Sequence, residues 1–317
     1  MTAPSKRDET LGLWLGVLGV ACFGITLPAT RLAAGTAEAP QLSPWFVTLG
    51  RAALAGVLSA VFLLATRSPR PRPHQWKPLA MAVLGNAVGY PLLLAYALRS
   101  VTAGHAAVIT ALLPLVTAAV AAWVLHQRAR PGFWVCAVLG SGLVVAFSLL
   151  RSWQQGRGFG FEAADLLLLG AVVAASAGYI YGAQVTPALG AERVICWVCV
   201  MALPLTLPAT VVLWPGQPVA PSAWAGFVYV GVFSMWMGFF AWYRGLALGG
   251  ALRVSQTQLL QPFFSILASL PLLGEPLDAV TLGFAVAVVA TVVAGKRLSQ
   301  PATRRISDTT TPTRSTS

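Results

Sequence analysis

Ten apolar stretches divide this chain, near residues 11–30, 43–66, 78–98, 102–125, 132–150, 163–186, 194–214, 222–243, 252–273 and 277–295. Each approaches the roughly 20 residues an α-helix needs to cross a bilayer core. Only 9% of the residues are charged, against roughly 25% in a soluble domain, so this sequence cannot build a water-facing surface. In lipid every backbone N–H and C=O must be satisfied internally, which leaves helices or a closed barrel. A barrel would show alternating segments of about ten residues, and these runs do not alternate. The predicted fold is all-α transmembrane, with ten helices.

A net charge of +12 invites a nucleic-acid partner. The basic residues are not gathered on one face, as such a partner requires; they sit in the gaps between apolar runs. With the N-terminus placed in the cytoplasm, the inner loops hold Arg67, Arg70, Arg72, Lys77, Arg128, Arg130, Arg193, Arg244 and Arg253. The tails add Lys6, Arg7, Lys296, Arg297, Arg304, Arg305 and Arg314. The outer side holds Arg31, Arg99, Arg151 and Arg157. Positive charge is retained inside, so both termini are expected in the cytoplasm and the protein in the plasma membrane. Lys6 and Arg7 precede an apolar stretch that runs to Ala29 without a clear cleavage site, which reads as an uncleaved first span. Residues 297–317 are rich in Thr, Ser, Arg and Pro and have nothing to bury, so a disordered tail is expected. Cys22, Cys136, Cys196 and Cys199 all lie in apolar runs. Cys196 and Cys199 have CxxC spacing without a second ligand pair or a polar loop, so they read as buried thiols, and neither a metal nor any other cofactor is expected.

The chain repeats itself. Tyr96-Ala-Leu-Arg-Ser-Val-Thr-Ala-Gly parallels Tyr243-Arg-Gly-Leu-Ala-Leu-Gly-Gly-Ala. Each leads into a span interrupted by proline, Pro114 and Pro262, which are 148 residues apart. The same offset relates Leu125-His126-Gln127 to Leu273-Gly274-Glu275. With five spans per half, the odd number forces the halves to insert upside down relative to each other. Inverted repeats give two nearly equivalent conformations that open to opposite sides, a transporter architecture. The boundaries read as an N-terminal segment 1–10, repeat one at 11–150, repeat two at 163–296 and the tail 297–317.

These segments resemble the drug/metabolite transporter superfamily, specifically its EamA-type ten-span exporters. The resemblance rests on Ser43-Pro44-Trp45-Phe46 through Arg51, on Tyr96 through Pro114, and on Tyr243 through Glu275-Pro276-Leu277. Repeat one departs from the pattern where Leu-Gly-Glu is replaced by Leu125-His126-Gln127. The resemblance implies ten helices in two inverted repeats, cytoplasmic termini and export of small metabolites, amino acids among them.

Ionisable groups at membrane depth are functional candidates. None of the nine acids lies in the middle third of a predicted span, so the sequence offers no mid-membrane carboxylate to hold a cationic drug and then a proton. Arg51 lies about eight residues into span two, roughly 12 Å from its end. It is either a counter-charge for a substrate carboxylate or a structural residue. His105, one turn into span four, is a gate, a proton carrier or a packing residue; the offset pairs it with Arg253. Asn86 and Tyr90 share a helix face. With Tyr179, Tyr181, Trp236 and Gln258 they describe a neutral, aromatic, hydrogen-bonding cavity, because amides and phenols at this depth must face protein or water. Gln261 flanks the Pro262 kink beside Gln258. Pro114 and Pro262 are hinge candidates. Gly12 and Gly16, Gly85 and Gly89, and Gly245 and Gly249 have the spacing of close helix contacts. The resulting reading is an exporter of small amphipathic metabolites by alternating access, its partners a small-molecule substrate and the bilayer, with homodimerisation left open. The alternatives are a multidrug or nucleotide-sugar carrier and an intramembrane lipid or prenyl transferase. The enzyme would need paired acids or a His/Asp cluster at one membrane face, and no histidine is expected to join either Glu162 with Asp165 or Glu275 with Asp278.

Overall fold

The structure, a computed structural model, describes residues 6–124, 131–154, 162–249 and 255–299. Its regular elements are helices joined by short turns, with an isolated bridge between Gly35 and Pro40. The helices are α1 (Arg7–Ala34), α2 (Pro44–Ala65) and α3 (Pro73–Ala97). α4 has two segments, Ala103–Thr110 and Leu113–Val124, and α5 spans Pro131–Gln154. α6 (Ala163–Leu189) and α7 (Ala191–Val212) follow. α8 runs as Pro221–Val228, Tyr229–Met237 and Gly238–Gly249. α9 is a 3₁₀ turn, Ser255–Leu260, continued by Gln261–Leu273. α10 is Ala279–Ser299. Among the described residues six of these helices are long and apolar enough to span a bilayer, and the others hold shorter apolar stretches such as Thr257–Leu273 and Ala279–Thr291. Exposed side chains such as Trp14, Leu64, Trp123 and Val212 project from the outside of the bundle, where lipid, not water, is the compatible solvent.

Local chemistry sets the helix ends. Ser43 caps α2 by accepting a hydrogen bond from the Phe46 amide at 3.1 Å, with Pro44 in the first turn, where its missing N–H costs nothing. Thr102 caps α4 by accepting from the His105 amide.

Exchange of the two halves maps the packing onto itself. α1 packs on α8 as α6 packs on α3, and α1 meets α9 as α6 meets α4. α2 with α7, α4 with α9, and α5 with α10 each pair with their own counterpart. That pattern is what two interlocked five-helix repeats require, and five helices per repeat make them inverted. The symmetry extends to irregularities. α3 contains a π-helical segment at Val83–Gly89, and α8 contains one at Tyr229–Met237. The segments of α4 part at residues 111–112, just before Pro114, while α9 changes from 3₁₀ to α geometry just before Pro262. π segments and proline breaks free backbone groups from the regular ladder, and such departures concentrate at functional sites.

The glycines with four-residue spacing mediate contacts inside one copy. A Cβ on Gly85 would lie 2.4 Å from the Ala174 carbonyl oxygen and 2.7 Å from the Gly178 nitrogen, so α3 and α6 touch backbone to backbone. Gly245 of α8 stands in the same way against Gly12 and Gly16 of α1.

Candidate functional site

Three cavities lie in sequence along the α4–α9 crossing. The innermost is a chamber of about 20 Å³, lined by Phe23, Thr26, Arg51, Asn86, Tyr90, Tyr179, Ser234, Met235, Phe239 and Gln261. These come from α1, α2, α3, α6, α8 and α9, so both repeats build it. Each polar member lies on a helix that the tertiary packing turns inward. Asn86 sits in the π segment of α3 and Tyr90 opens the segment after it. Gly178 of α6 makes room for the amide, since a Cβ there would fall 2.4 Å from Asn86 Oδ1.

Arg51 is the charged group of the chamber and is only 3% exposed. Its Nη2 donates to Ser234 Oγ at 3.1 Å and lies 3.9 Å from Met235 Sδ. Ser234 Oγ is also 2.7 Å from Thr26 Oγ1, which donates to the Cys22 carbonyl. Arg51 Nε and Nη1 are buried without a protein partner, and among the described residues no carboxylate pairs with it. Arginine does not lose its charge in proteins. Leaving a buried donor unpaired costs about 1–3 kcal/mol, and a planar carboxylate is the group that satisfies two neighbouring guanidinium donors at once.

Beyond Gln261, which lines both spaces, a smaller gap of about 10 Å³ separates Thr110, Ala111 and Leu113 of α4 from Gln258, Gln261 and Pro262 of α9. Further along, at the face that carries the α3–α4 and α9–α10 connections, a vestibule of about 330 Å³ opens between Arg31, Ser100, Thr102, Gly104, His105, Glu162, Ile266, Ser269, Glu275, Asp278 and Thr281. His105 Nε2 lies 2.7 Å from Asp165 Oδ1, and both side chains are buried. Asp165 Oδ2 accepts from the Glu162 amide at 3.2 Å. The Phe147 ring packs 5.0 Å from the imidazole. At the rim, Glu275 accepts from the Ala103 and Gly104 amides at 3.1 and 3.3 Å and pairs with Arg31 Nε at 3.3 Å. Arg31 Nη1 donates in turn to the Leu98 carbonyl at 2.9 Å and to that of Val101. One ion pair therefore straddles the α3–α4 turn, with its cation on the carbonyls of the α3 end and its anion on the amides of the α4 start. Each charge faces the helix end whose dipole it complements.

The chamber gathers Asn86, Tyr90, Tyr179 and Arg51 of the sequence-derived residues, together with Gln261. Gln258 lines the adjoining gap opposite Thr110, and His105 lines the vestibule. Trp236 packs against Phe240, with ring centroids 4.9 Å apart, and with Tyr181 is absent from the walls of these cavities. Pro262 lines the gap, Pro114 lies at the matching break in α4, and Arg253 is outside the described residues. Cys196 and Cys199 are free thiols buried in α7.

One reading from sequence requires correction. Asp165, only three residues into α6, is 1% exposed, so a carboxylate is buried near a span end, while none lies at mid-span. A histidine does join the Glu162–Asp165 pair, since His105 arrives from α4, 60 residues away in sequence. No local pattern predicts that meeting. Thr26, Ser234, Phe23 and Phe239 were also missed. For the two hydroxyls a signal existed, because each is a polar group deep in an apolar run.

The sequence profile of the EamA-like transporter family matches residues 10–149 and again residues 162–294. A protein of Bacillus subtilis strain 168, described as the uncharacterized transporter YdeK, is 38% identical over 296 residues, which covers 92% of this chain and 100% of its own. A solved crystal structure superposes with a TM-score of 0.62 at 19% identity, covering 92% of this chain and 98% of the other. At that identity the likeness speaks for the fold alone. The repeated family match falls on the apolar helices described above, so the protein is a multi-pass membrane transporter for a small molecule, and it belongs to the EamA-like transporter family.

Proposed function

We propose that this transporter exports small amphipathic metabolites, amino acids among them, across the plasma membrane by alternating access of its two repeats around the Arg51–Tyr179 chamber. In this reading residues 11–150 and 163–296 are the moving repeats. The segment 1–10 and the tail 297–317 are cytoplasmic, and the vestibule faces outward. The observation that carries the proposal is the chamber itself: amide, phenol and aromatic side chains from both repeats, beside matched breaks in α4 and α9. A pseudo-symmetric frame has two arrangements of nearly equal energy, and substrate at the centre can be reached in each. A nucleotide sugar would need several basic groups for its phosphates, whereas Arg51 is the charged side chain lining the chamber. The glycine faces of α1, α3 and α8 are used within one copy, so a homodimer would pair through other surfaces.

The test is accessibility. With Cys22, Cys136, Cys196 and Cys199 replaced by alanine, single cysteines are introduced as Asn86→Cys, Tyr90→Cys, Tyr179→Cys, Gln261→Cys and Gln258→Cys. The expected outcome is reaction with a small membrane-impermeant thiol reagent at three or more of these positions in reconstituted protein. Unreactive thiols at three or more of them, in preparations open to either side, would remove the chamber from the mechanism. An untargeted comparison of metabolites in cells lacking and overproducing the protein identifies what is exported.

A further inference from the structure

Resting on the chamber as the transport site, we propose that Arg51 is the anchor for a carboxylate, so that the substrates are organic acids or zwitterions carrying one anionic group and the chamber rejects organic cations. The guanidinium is buried, holds its charge, and uses one nitrogen on Ser234. The other two nitrogens have no protein partner. A structural arginine at membrane depth is expected to spend its donors on carbonyls or a carboxylate, as Arg31 does with Leu98, Val101 and Glu275. Arg51 does neither. Nε and Nη1 do not share an edge of the guanidinium, but either of them together with the second proton of Nη2 presents a fork that matches the two oxygens of a carboxylate.

At about 20 Å³ the chamber is closed down to roughly the space of one water, and the residues around it would meet the remainder of the ligand once the repeats part. Phe23, Tyr90, Tyr179 and Phe239 offer ring surfaces, and Asn86 and Gln261 offer amides. Asp165 and Glu162, the acids nearest along the path, belong to the vestibule cluster and are occupied there. A cation in the chamber would therefore meet like charge from Arg51 without a carboxylate to offset it. An ammonium group on a zwitterion has ring faces and amide oxygens instead, which suit it. The repeat symmetry adds a count. The 148-residue offset places Cys199, a thiol, at the position equivalent to Arg51. The site supplies one positive charge, not a symmetric pair, which fits a single carboxylate better than a phosphate ester.

The experiment uses the full-length protein in liposomes, carrying Tyr90→Cys in the cysteine-free background, and measures protection of that thiol. The probes are acid and amide pairs of equal shape: 3-phenylpropionate with 3-phenylpropionamide, 4-methylpentanoate with its amide, and L-phenylalanine with L-phenylalaninamide. Charge-assisted hydrogen bonds make the expected preference for the acid or zwitterion at least about tenfold. Arg51→Gln should bring the ratio to about one, and Arg51→Lys should keep a reduced preference, because lysine supplies charge without the fork. Equal protection by acid and amide, or no protection by any acid, overturns the anchor. So does an unchanged ratio in Arg51→Gln. If Arg51→Gln fails to fold, the acid-to-amide ratio in the parent protein and in Arg51→Lys still decides. A Tyr90→Cys thiol that never reacts would instead refute the chamber, which separates the two failures.

Discussion

Removing the Glu275 carboxylate should loosen the start of α4 by an amount that can be worked out from its contacts. The side chain accepts from two amides of the first turn, Ala103 and Gly104. Loss of a capping acceptor costs about 1 kcal/mol, and loss of the charge facing the helix dipole costs a further 0.5–1 kcal/mol or so. The pair with Arg31 is partly buried, at 17% and 14% exposure. It falls between exposed pairs, worth about 0–1 kcal/mol, and buried ones, whose breakage costs several; about 1 kcal/mol is a fair share. Glu275→Ala should therefore cost about 2–3 kcal/mol, and Glu275→Gln, which keeps an acceptor, about 1–2 kcal/mol. Arg31 retains its two carbonyl partners in either variant, so no orphaned cation inflates the cost. Hydrogen exchange in detergent reads this directly: the Ala103 and Gly104 amides should exchange roughly thirtyfold faster in Glu275→Ala for a loss of about 2 kcal/mol. Combining Arg31→Gln with Glu275→Gln should cost less than the sum of the two. A change under about threefold in Glu275→Ala, or equal damage from glutamine and alanine, would refute the assignment of Glu275 as the charged cap of α4.

Gly85→Ala should destabilise by about 1–3 kcal/mol in detergent, because its Cβ meets the Ala174 carbonyl oxygen at 2.4 Å with backbone on both sides. Gly142→Ala, with nothing within 4 Å, should be neutral or stabilising, and a reversed ranking in thermal unfolding would contradict the packing. Asp165→Ala should destabilise more than Asp165→Asn, by about 1 kcal/mol, since asparagine keeps a partner for the buried imidazole at 2.7 Å and alanine strands it; equal unfolding midpoints would count against that contact. A reporter active only outside the cytoplasm should be silent when fused at Leu298 and active at Gln154. The opposite pattern would reverse the proposed orientation.

The ten helices were legible because membrane spans announce themselves by length and composition. The exchange symmetry was legible through Pro114 and Pro262, whose common offset also relates Pro73 to Pro221 at the starts of α3 and α8. Asn86 and Tyr90 could be read as neighbours because one helical turn separates them. What brings Tyr179 and Arg51 to the same space is helix packing over more than a hundred residues, which periodicity does not encode. The His105–Asp165 contact escaped for the same reason, and also because burial near a span end depends on what covers it. Glu275 was visible as half of an acidic pair with Asp278 and as a residue that its counterpart Gln127 does not match. Its role required seeing that its oxygens reach the first amides of a helix in the other repeat.

The frame of this protein is symmetric, and its chemistry is not. α2 and α7 exchange under the repeat symmetry and also pack on each other, so the pseudo-axis passes between them. In the proposed exchange of conformations a group close to that axis would keep nearly the same depth, whereas a group far from it would be exposed in one state and buried in the other. Arg51 on α2, whose repeat equivalent is Cys199 on the packed helix α7, occupies the first kind of position. Glu275 and Arg31, at the rim of the vestibule, occupy the second. An axial cation can hold one anionic substrate through the whole exchange without being rebuilt. An ion pair at a rim makes different contacts in the two states, and only such differential contacts can bias which face opens. On the proposed alternating-access reading, binding and gating would fall to different residues by their distance from the axis, and substitutions at Arg51 should change which molecules are carried while substitutions at Glu275 change how often the vestibule opens.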